Sequence, residues 1–502
     1  MKAARYDVQE MVRAFEGFSD EVREACYECI RTAHVFPAFT TFVYLHLSLC
    51  APADNRLWQF KTKMRQYQLK GEGWCIHHYA EIRDYLYSLY QQVPVDRHIC
   101  NRNLVRNNQL HILDVQHLGA QVALYLVNAD RAQSFYATVE KDNDIAQSMV
   151  DLLQALLDLH PRQFDVWYRP CFLGAIIRLT RKTLVYPTCL EIRGVGNYAK
   201  TGAGGCGVIY QGTLLGRTVA LKRLINKGQD YDRLTKDFAH EAVLWRNVNH
   251  ANCLPFYGIF KDLQLNNGDL YLVSPWMEQG DLSAYLSENP NVDRLPLVYD
   301  IANGLEYLHK MQPTIVHGDL KCLNIFVTNN SRACIADFGL SNARDFSIKA
   351  NSSISIGGTP GYIAPEIYHS AARGGDELRN LDFRRCDMFA FGSVIYEIYV
   401  GEKSKLHEYN VCGGDRPPRP SQELCKMRKL DDDIWLLIEC LWKHNPDARL
   451  VAESARAFVG YKLRAMDKMR SSVSGEDLEW DLGFLRGTGV ATSPFELWAS
   501  LT

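Results

Sequence analysis

The sequence has no excess of charge of either sign and little sign of metal binding. Its 502 residues include 56 lysines and arginines against 58 aspartates and glutamates, so no positive field favours nucleic acid as a partner. The 15 cysteines contain a single Cys-x-x-Cys pair, at Cys26 and Cys29, and a zinc site would need a second pair. The first residues lack the apolar core of a signal peptide. We therefore expect a cytoplasmic protein in a reducing setting.

Long hydrophobic runs are also missing, although one stretch has no charge. Residues 32–53 contain no charged side chain, and their number is about that of a membrane span. Pro37, His34 and His46 interrupt the stretch. We expect a buried helix or helix pair here and no membrane partner, with membrane insertion as the alternative.

The N-terminal part, residues 1–187, carries helical patterns and no motif with chemistry. The segment DIAQSMVDLLQALLDLH places Met149, Leu153 and Leu156 on one face of a helix. No phosphate loop, metal-ligand spacing or nucleophile constellation occurs in this part. We predict a mostly α-helical region without an assigned role. Binding of a protein partner is the function that we consider for it.

A glycine-rich stretch, KTGAGGCGVIYQG, marks a change of character. Gly202, Gly204 and Gly207 form Gly-x-Gly-x-x-Gly, which is a weak signal when it occurs alone. Here the glycines lie between two strand patterns and not between a strand and a helix, as a dinucleotide fold requires. Such a turn lets backbone amides approach phosphate oxygens without side chains in the way.

A lysine and a glutamate follow at informative positions. Lys222, in TVALK, stands on a strand pattern among apolar residues, where an ammonium group needs an anionic partner. Glu241, in the helical run DRLTKDFAHEAVLWRNV, can pair with Lys222 and hold the ammonium over the α- and β-phosphates of a nucleotide.

The segment LYLVSPWMEQGDL is typical of a strand that runs into an extended hinge. In such a hinge an adenine takes one backbone acceptor and one backbone donor. Pro275 lacks an amide hydrogen but keeps its carbonyl, and Met277 keeps its N–H. The proline is therefore compatible with an adenine site.

The run VHGDLKCLNIFV holds residue types suited to phosphoryl transfer. Asp319 suits the acceptor of a hydroxyl proton, Lys321 suits the cation that neutralises a migrating phosphoryl group, and Asn324 suits a metal ligand. Thirteen residues later, Asp337 in ADFGLS can hold magnesium.

Two further motifs complete the series. The segment GTPGYIAPE ends at Glu366, and Arg449 in NPDARL is a natural partner for that glutamate. Six motifs thus stand in order over about 250 residues, which makes coincidence negligible.

With these motifs the chain resembles the eukaryotic protein kinase superfamily across roughly residues 190–465. The segments EAVLWRNVNHANCLPFYGIF and LVSPWMEQGDLSAYL are most similar to the tyrosine-kinase-like group, and within it to kinases of mushroom-forming fungi. The resemblance implies a bilobal α+β fold with an antiparallel five-stranded small lobe and a helical large lobe. We place the helical region at 1–187, the kinase domain at 188–466 and a loosely ordered acidic tail at 467–502.

The resemblance also implies a reaction, in which ATP and Mg²⁺ are used to phosphorylate serine and threonine hydroxyls of protein substrates in intracellular signalling. In this reaction Asp319 and Lys321 are catalytic, Lys222 and Glu241 form an ion pair, and Thr359 bonds both Asp319 and Lys321 through its hydroxyl. The magnesium ligands are Asn324 and Asp337. Asp387, in CDMFAFG, anchors the backbone of the catalytic loop, and Ser274 is the small residue behind adenine. The residues implied around the nucleotide are Gly202, Gly204, Gly207, Ile209, Ala220, Lys222, Ser274, Pro275 and Met277.

Two departures from the family pattern concern regulation and docking. Most regulated kinases carry arginine where this chain has Gly318, and that arginine receives an activation-loop phosphate. We therefore expect phosphate-gated activation to be weakened, although Ser352, Ser353 and Ser355 remain available for phosphorylation. The segment after Gly401 is short for such kinases, which puts the usual docking of peptides in doubt.

A pseudokinase or scaffold that acts through the N-terminal helices is the alternative function. Pseudokinases usually lose the lysine, the catalytic aspartate or the metal-binding aspartate. This chain keeps all three, as Lys222, Asp319 and Asp337, which favours an active enzyme.

Overall fold

The computed structural model gives the structure of part of the chain. It describes residues 123, 126–127, 129–141, 143–158, 168–204, 207–223, 231–262, 269–338, 342–344, 359–372, 381–401 and 406–466. The predictions for residues 26–29, 32–53, 352–355 and 467–502 lie outside the described residues.

The contacts divide the described chain into two compact units between Cys189 and Leu190. The helix predicted from the apolar pattern is present, and its Met149, Leu153 and Leu156 are all buried. In the described part of the chain no helix is long and apolar enough to cross a membrane. The described residues of the first unit form three helices, α1 (Ala129–Val139), α2 (Asn143–Asp158) and α3 (Tyr168–Lys182).

The second unit begins with a six-stranded sheet. Its strands are β1 (Glu191–Ile192), β2 (Val195–Gly204), β3 (Gly207–Leu214), β4 (Arg217–Arg223), β5 (Gly258–Asp262) and β6 (Asp269–Pro275). Their order is β1-β5-β6-β4-β3-β2. All neighbours are antiparallel except β1, which runs parallel to β5. The prediction of a five-stranded antiparallel sheet is therefore wrong by one strand.

The additional strand depends on a close approach at Gly258. Gly258 has a φ of +149°, and a Cβ at this position would lie 2.6 Å from Ile192 Cγ2 and from the Leu190 carbonyl oxygen. Only glycine lets the two backbones come this close. A strand of two residues is too short to show an alternating pattern, so the sequence did not reveal it.

The remainder of the second unit is mostly helical. The helices Leu295–Lys310 and Phe383–Val400 supply much of its core, with Ile301, Leu305, Phe391 and Ile395 fully buried. The α+β fold with a sheet lobe and a helical lobe is therefore confirmed. The helices are α4 (Tyr231–Arg246), α5 (Leu282–Glu288), α6 (Leu295–Lys310), α7 (Pro365–Ala372), α8 (Phe383–Val400), α9 (Gln422–Arg428), α10 (Asp432–Leu441) and α11 (Ala452–Ala465).

Two small strand pairs flank the segments of the helical lobe that contain Asp319, Asn324 and Asp337. They are β7 (Thr314–Val316) with β10 (Asn342–Arg344), and β8 (Ile325–Val327) with β9 (Ala333–Ile335). A 3-10 turn, Cys322–Asn324, leads directly into β8. Because β8 and β9 are antiparallel, the residues after β9 return to the beginning of β8. The Ala336 N–H accordingly donates to the Asn324 carbonyl at 2.9 Å.

Candidate active site

One face of the sheet carries residues predicted to surround a nucleotide. Ile209 pairs directly with Lys222, and Ala220 precedes Lys222 by two residues on β4. Ser274 on β6 pairs with Ala220 and is only 5% exposed. Paired residues, and residues two apart on a strand, share one face of a sheet. The strand register therefore brings Ile209, Ala220, Lys222 and Ser274 to the same side.

Lys222 is the centre of a buried ion-pair cluster. Its Nζ lies 2.8 Å from Oε1 of Glu241 on α4 and 2.6 Å from Oδ1 of Asp337. Burial by itself would lower the pKa of Lys222, but the two carboxylates outweigh burial and raise this pKa above its usual value. The side chain of Lys222 therefore stays charged, and it offers a fixed ammonium group to an anionic ligand.

The glycine-rich hairpin adjoins this face of the sheet. Gly202 pairs with Ile209, and Gly204 pairs with Gly207. A Cβ on Gly207 would lie 2.7 Å from the Arg223 carbonyl oxygen, whereas a Cβ on Gly202 would meet nothing within 4 Å. Packing thus requires Gly207, and Gly202 leaves open space beside the backbone. Phosphate oxygens need such space to approach backbone amides.

The predicted hinge comprises the last residue of β6 and the residues after it, and backbone hydrogen bonds hold this segment on both sides. The Trp276 N–H donates to the Thr218 carbonyl at 3.2 Å, and the Gly280 N–H donates to the Met277 carbonyl at 3.0 Å. These bonds hold Pro275 and Met277, the two residues predicted to contact adenine, in a defined backbone path.

Asp319, Lys321 and Thr359 form a closed triangle of hydrogen bonds. Lys321 Nζ donates to Asp319 Oδ2 at 2.6 Å and to Thr359 Oγ1 at 2.9 Å. The Thr359 hydroxyl in turn donates to Asp319 Oδ1 at 3.0 Å. The two bonds predicted for Thr359 are therefore present. The triangle combines a proton acceptor with a cation, which is the combination that transfer of a phosphoryl group to a hydroxyl requires.

Asn324 and Asp337 offer oxygen atoms that fit a magnesium ion. The Asn324 amide nitrogen donates to the Asp319 carbonyl at 2.8 Å and to Asp319 Oδ2 at 3.1 Å, which leaves the amide oxygen for a cation. The Ala336 N–H bonds the Asn324 carbonyl, and Asp337 is the next residue, so the two predicted ligands lie on neighbouring backbone segments. Magnesium prefers such oxygens and takes further ligands from substrate phosphates. Among the residues that the structure describes, no cluster of three His, Cys, Asp or Glu side chains is arranged to hold a metal.

A buried carboxylate holds the backbone that precedes Asp319. Asp387 on α8 accepts hydrogen bonds from the N–H groups of His317 at 2.8 Å and Gly318 at 2.9 Å. It also lies 2.9 Å from His309 Nε2. Gly318 has a φ of +83°, a conformation that glycine adopts at little cost. The backbone anchor predicted for Asp387 is therefore present.

Arg449 and Glu366 form the pair predicted from the last two motifs. The Arg449 Nη1 and Nη2 atoms lie 2.6 and 2.7 Å from the two carboxylate oxygens of Glu366. The Arg449 side chain is fully buried. The pair ties the beginning of α7 to the segment before α11.

Sequence reasoning missed four contacts around the site. It assigned Asp337 to magnesium and did not foresee its ion pair with Lys222. It also missed the hydrogen bond from the Tyr362 hydroxyl to the Glu397 carboxylate and every contact of Ser393. The nearness of Tyr362 to Thr359 in GTPGY was an available signal, whereas the α8 residues belong to a helix that reads as plain core.

Comparison with known proteins identifies this arrangement. The model of the protein kinase domain family matches residues 196–458, a little over half of the chain. A leucine-rich repeat receptor-like serine/threonine-protein kinase of Arabidopsis thaliana is 34% identical over 234 residues, which are 44% of this chain and 24% of the relative. A receptor-like protein kinase of the same plant is 35% identical over 210 residues, which are 40% of this chain and 22% of the relative.

A further relative comes from Dictyostelium discoideum. This serine/threonine-protein kinase is 29% identical over 255 residues, which are 50% of this chain and 23% of the relative. The chain thus spans about a quarter of the length of each of these three relatives.

Proposed function

We propose that this chain, which belongs to the protein kinase family, transfers the γ-phosphate of ATP to serine and threonine hydroxyls of proteins. The triangle of Asp319, Lys321 and Thr359 carries the proposal, because it joins a proton acceptor to a cation. Lys321 and Thr359 also match the serine/threonine pattern of the family. Asn324, which bonds Asp319, links this triangle to the Lys222 cluster through its backbone contact with Ala336.

The transfer exchanges one bond to phosphorus for another. The substrate hydroxyl oxygen bonds to the γ-phosphorus, the bond from that phosphorus to the β,γ-bridging oxygen breaks, and ADP leaves. Asp319 accepts the hydroxyl proton. Lys321 neutralises the charge on the migrating group. Thr359 fixes the positions of the Asp319 carboxylate and the Lys321 ammonium relative to each other.

The nucleotide side of the site binds and orients the phosphates. Lys222 contacts the α- and β-phosphates, and Glu241 fixes the position of Lys222. A magnesium ion held by Asn324 and Asp337 would neutralise charge on the phosphates. The open space at Gly202 admits the phosphates beneath the hairpin.

The decisive experiment is a radiolabelled-ATP assay with a generic protein substrate. We expect Asp319→Asn to lower transfer by about 100-fold or more, because a positioned base contributes a factor of this order. Asp447→Asn, which makes the same change on an exposed residue before Arg449, is the control and should retain activity.

A pseudokinase or scaffold is the competing function. Lys222, Asp319 and Asp337 are all present and bonded, which supports the enzyme. A wild-type protein that binds Mg-ATP in a thermal-shift assay but transfers no phosphate would contradict the proposal and favour the scaffold.

The narrower affiliation is also a proposal. We place the chain in the tyrosine-kinase-like group, nearest to kinases of mushroom-forming fungi, on the basis of its motifs. The relatives described above come from a plant and from Dictyostelium. A tree of kinase-domain sequences that groups this chain elsewhere would contradict the affiliation.

The role of residues 1–187 and the location of the protein remain proposals as well. We propose a protein partner for this region, because helices α1–α3 carry no chemistry-bearing motif. Fluorescence microscopy of the tagged chain tests the proposed cytoplasmic location. The boundaries 1–187, 188–466 and 467–502 stay predictions.

A further inference from the structure

The turn that brings Thr359 into the site has a conformation that only glycine permits. It comprises Thr359, Pro360, Gly361 and Tyr362, and the Tyr362 N–H donates to the Thr359 carbonyl at 3.0 Å. Proline at the second position and glycine with positive φ at the third are typical of a type II turn. The φ of Gly361 is +88°, and a Cβ there would lie 2.7 Å from Leu406 Cβ.

Pro360 fixes one φ of this turn, but Gly361 adds little restraint of its own. Because glycine has the widest choice of backbone conformations, a partner at Gly361 would hold the turn in place. Ser393 on α8 supplies one, because its Oγ donates to the Gly361 carbonyl at 2.9 Å. Ser393 is only 1% exposed, and water therefore does not compete for this bond.

The direction of the bond follows from Trp442. An indole N–H can only donate, and Trp442 Nε1 lies 3.1 Å from Ser393 Oγ. The serine oxygen therefore accepts from Trp442, and its single proton is left for Gly361. A serine inside a helix commonly bonds to a carbonyl of its own helix. Here the hydroxyl bridges Trp442 and Gly361 instead.

The bridge reaches the proposed catalytic residues through the turn. Thr359, two residues before Gly361, bonds Asp319 and Lys321. One helical turn beyond Ser393, Glu397 on α8 accepts a hydrogen bond from the Tyr362 hydroxyl. Helix α8 thus holds the turn at two points.

We propose that Ser393 is a positioning residue for the protein-substrate side of the site, acting through Gly361 and Thr359. Its kinetic consequence rests on the proposed kinase function. Without the hydroxyl, the Gly361 carbonyl and the Trp442 N–H are buried without this partner, and the turn shifts. The Ser393 hydroxyl bonds Gly361 and Trp442 and not Lys222 or Glu241, so we expect nucleotide binding to be preserved.

Ser393→Val and Ser393→Thr form a matched pair, because valine and threonine have the same shape and differ in the hydroxyl group. We expect Ser393→Val to lower kcat/KM for a protein substrate by about tenfold relative to Ser393→Thr, with KM for ATP unchanged within about twofold. Equal losses in the two variants, or a parallel rise of both KM values, would overturn the proposal.

Hydrogen exchange of the full chain without nucleotide gives a readout that needs no activity. The amides of Thr359, Gly361 and Tyr362 should exchange about tenfold faster in Ser393→Val than in Ser393→Thr. Equal exchange in the two variants would overturn the positioning role. A wild-type protein without transfer activity would contradict the proposed function. The exchange rates of the two Ser393 variants could still be compared, because they do not depend on activity.

A further variant covers the case in which the added methyl group prevents folding. Ser393→Ala then replaces the pair, with Thr328→Val as the control. Thr328 is a buried residue whose hydroxyl accepts a bond from the Arg332 N–H in the β8–β9 hairpin. Faster exchange of the same three amides in Ser393→Ala alone supports the proposal, and equal exchange in the two variants overturns it.

Discussion

The Lys222 cluster and the turn from Thr359 to Tyr362 are held by different kinds of interaction. The Lys222 ammonium contacts two carboxylates, at 2.8 and 2.6 Å, in a largely buried place. Helix α8 holds the turn through neutral donors, the hydroxyl groups of Ser393 and Tyr362. Removing one member of a buried ion pair leaves an uncompensated charge, which costs more than the loss of a neutral hydrogen bond. The two regions should therefore respond to substitution by different amounts.

The largest effect is expected at the charged region. Lys222→Met should lower phosphotransfer by about 1,000-fold, because an apolar side chain of similar length cannot anchor phosphates. The measurement is kcat/KM, with circular dichroism to show that the protein is folded. Lys261→Met is the control on an exposed position of the same sheet. Near wild-type turnover of Lys222→Met would remove the charged cluster from the mechanism.

A second charged pair tests whether the same rule holds for stability. Arg449→Leu should lower the free energy of unfolding by about 3 kcal/mol, since it leaves the Glu366 carboxylate without its bidentate partner. Urea denaturation measures this change. The double variant Arg449→Leu/Glu366→Leu should recover part of the loss, because it removes both charges. A loss below about 1 kcal/mol in the single variant would show that the pair resembles a surface ion pair.

His250, a neutral hydrogen-bond acceptor away from the site, allows a test of how stability depends on pH. The Asn252 N–H donates to His250 Nδ1 at 3.1 Å, and burial lowers the pKa of His250 to about 4 against the opposing effect of Glu306. The unfolded chain, with a pKa of about 6.5, binds this proton more readily. Stability should therefore fall as the pH drops from 6.5 towards 4, by about 2 kcal/mol at pH 5.

Urea midpoints at pH 7.5 and pH 5 measure the contribution of His250. The drop between the two pH values should be smaller in His250→Gln than in the wild type, because glutamine does not titrate in this range. The same drop in both proteins would show that other groups cause the acid sensitivity.

The smallest effect is expected from the serines of the predicted activation loop. Changing Ser352, Ser353 and Ser355 together to alanine should alter activity by less than about threefold, because Gly318 offers no guanidinium group to a phosphate. Phosphatase treatment of the wild-type protein should also alter activity by less than about threefold. Thr359→Ala is the positive control, since its hydroxyl bonds Asp319 and Lys321. A loss above about tenfold in the triple variant would mean that another cation receives the phosphate.

The charged and neutral regions also differed in how well the sequence predicted them. Lys222, Glu241 and Asp319 could be assigned because few residue types perform their chemistry, and each stood inside a recognisable motif. Ser393 could not be assigned, because a serine in an apolar helix is common and its partners come from distant segments. The bond from Ser393 to Gly361 joins residues 32 positions apart, and the bond from Trp442 joins residues 49 positions apart.

The β1 strand shows the same limit in the fold. Its two residues pair with β5, which lies more than 60 positions later in the chain, and no local pattern predicts such a contact. The helix α2 is the opposite case, since its apolar positions recur at the helical period and specify both the helix and its buried face.

The sequence by itself determined the α+β class, the order of the motifs and the residue types of the site, because periodicity and chemical requirement are local properties of the chain. Only the tertiary structure decided that Asp337 also bonds Lys222, that β1 joins the sheet, and that Ser393 holds the turn of Thr359. These contacts depend on distances of a few ångströms between segments far apart in the chain. Hydrogen bonds and ion pairs form only within such distances, so packing of the whole lobe must bring the partners together first.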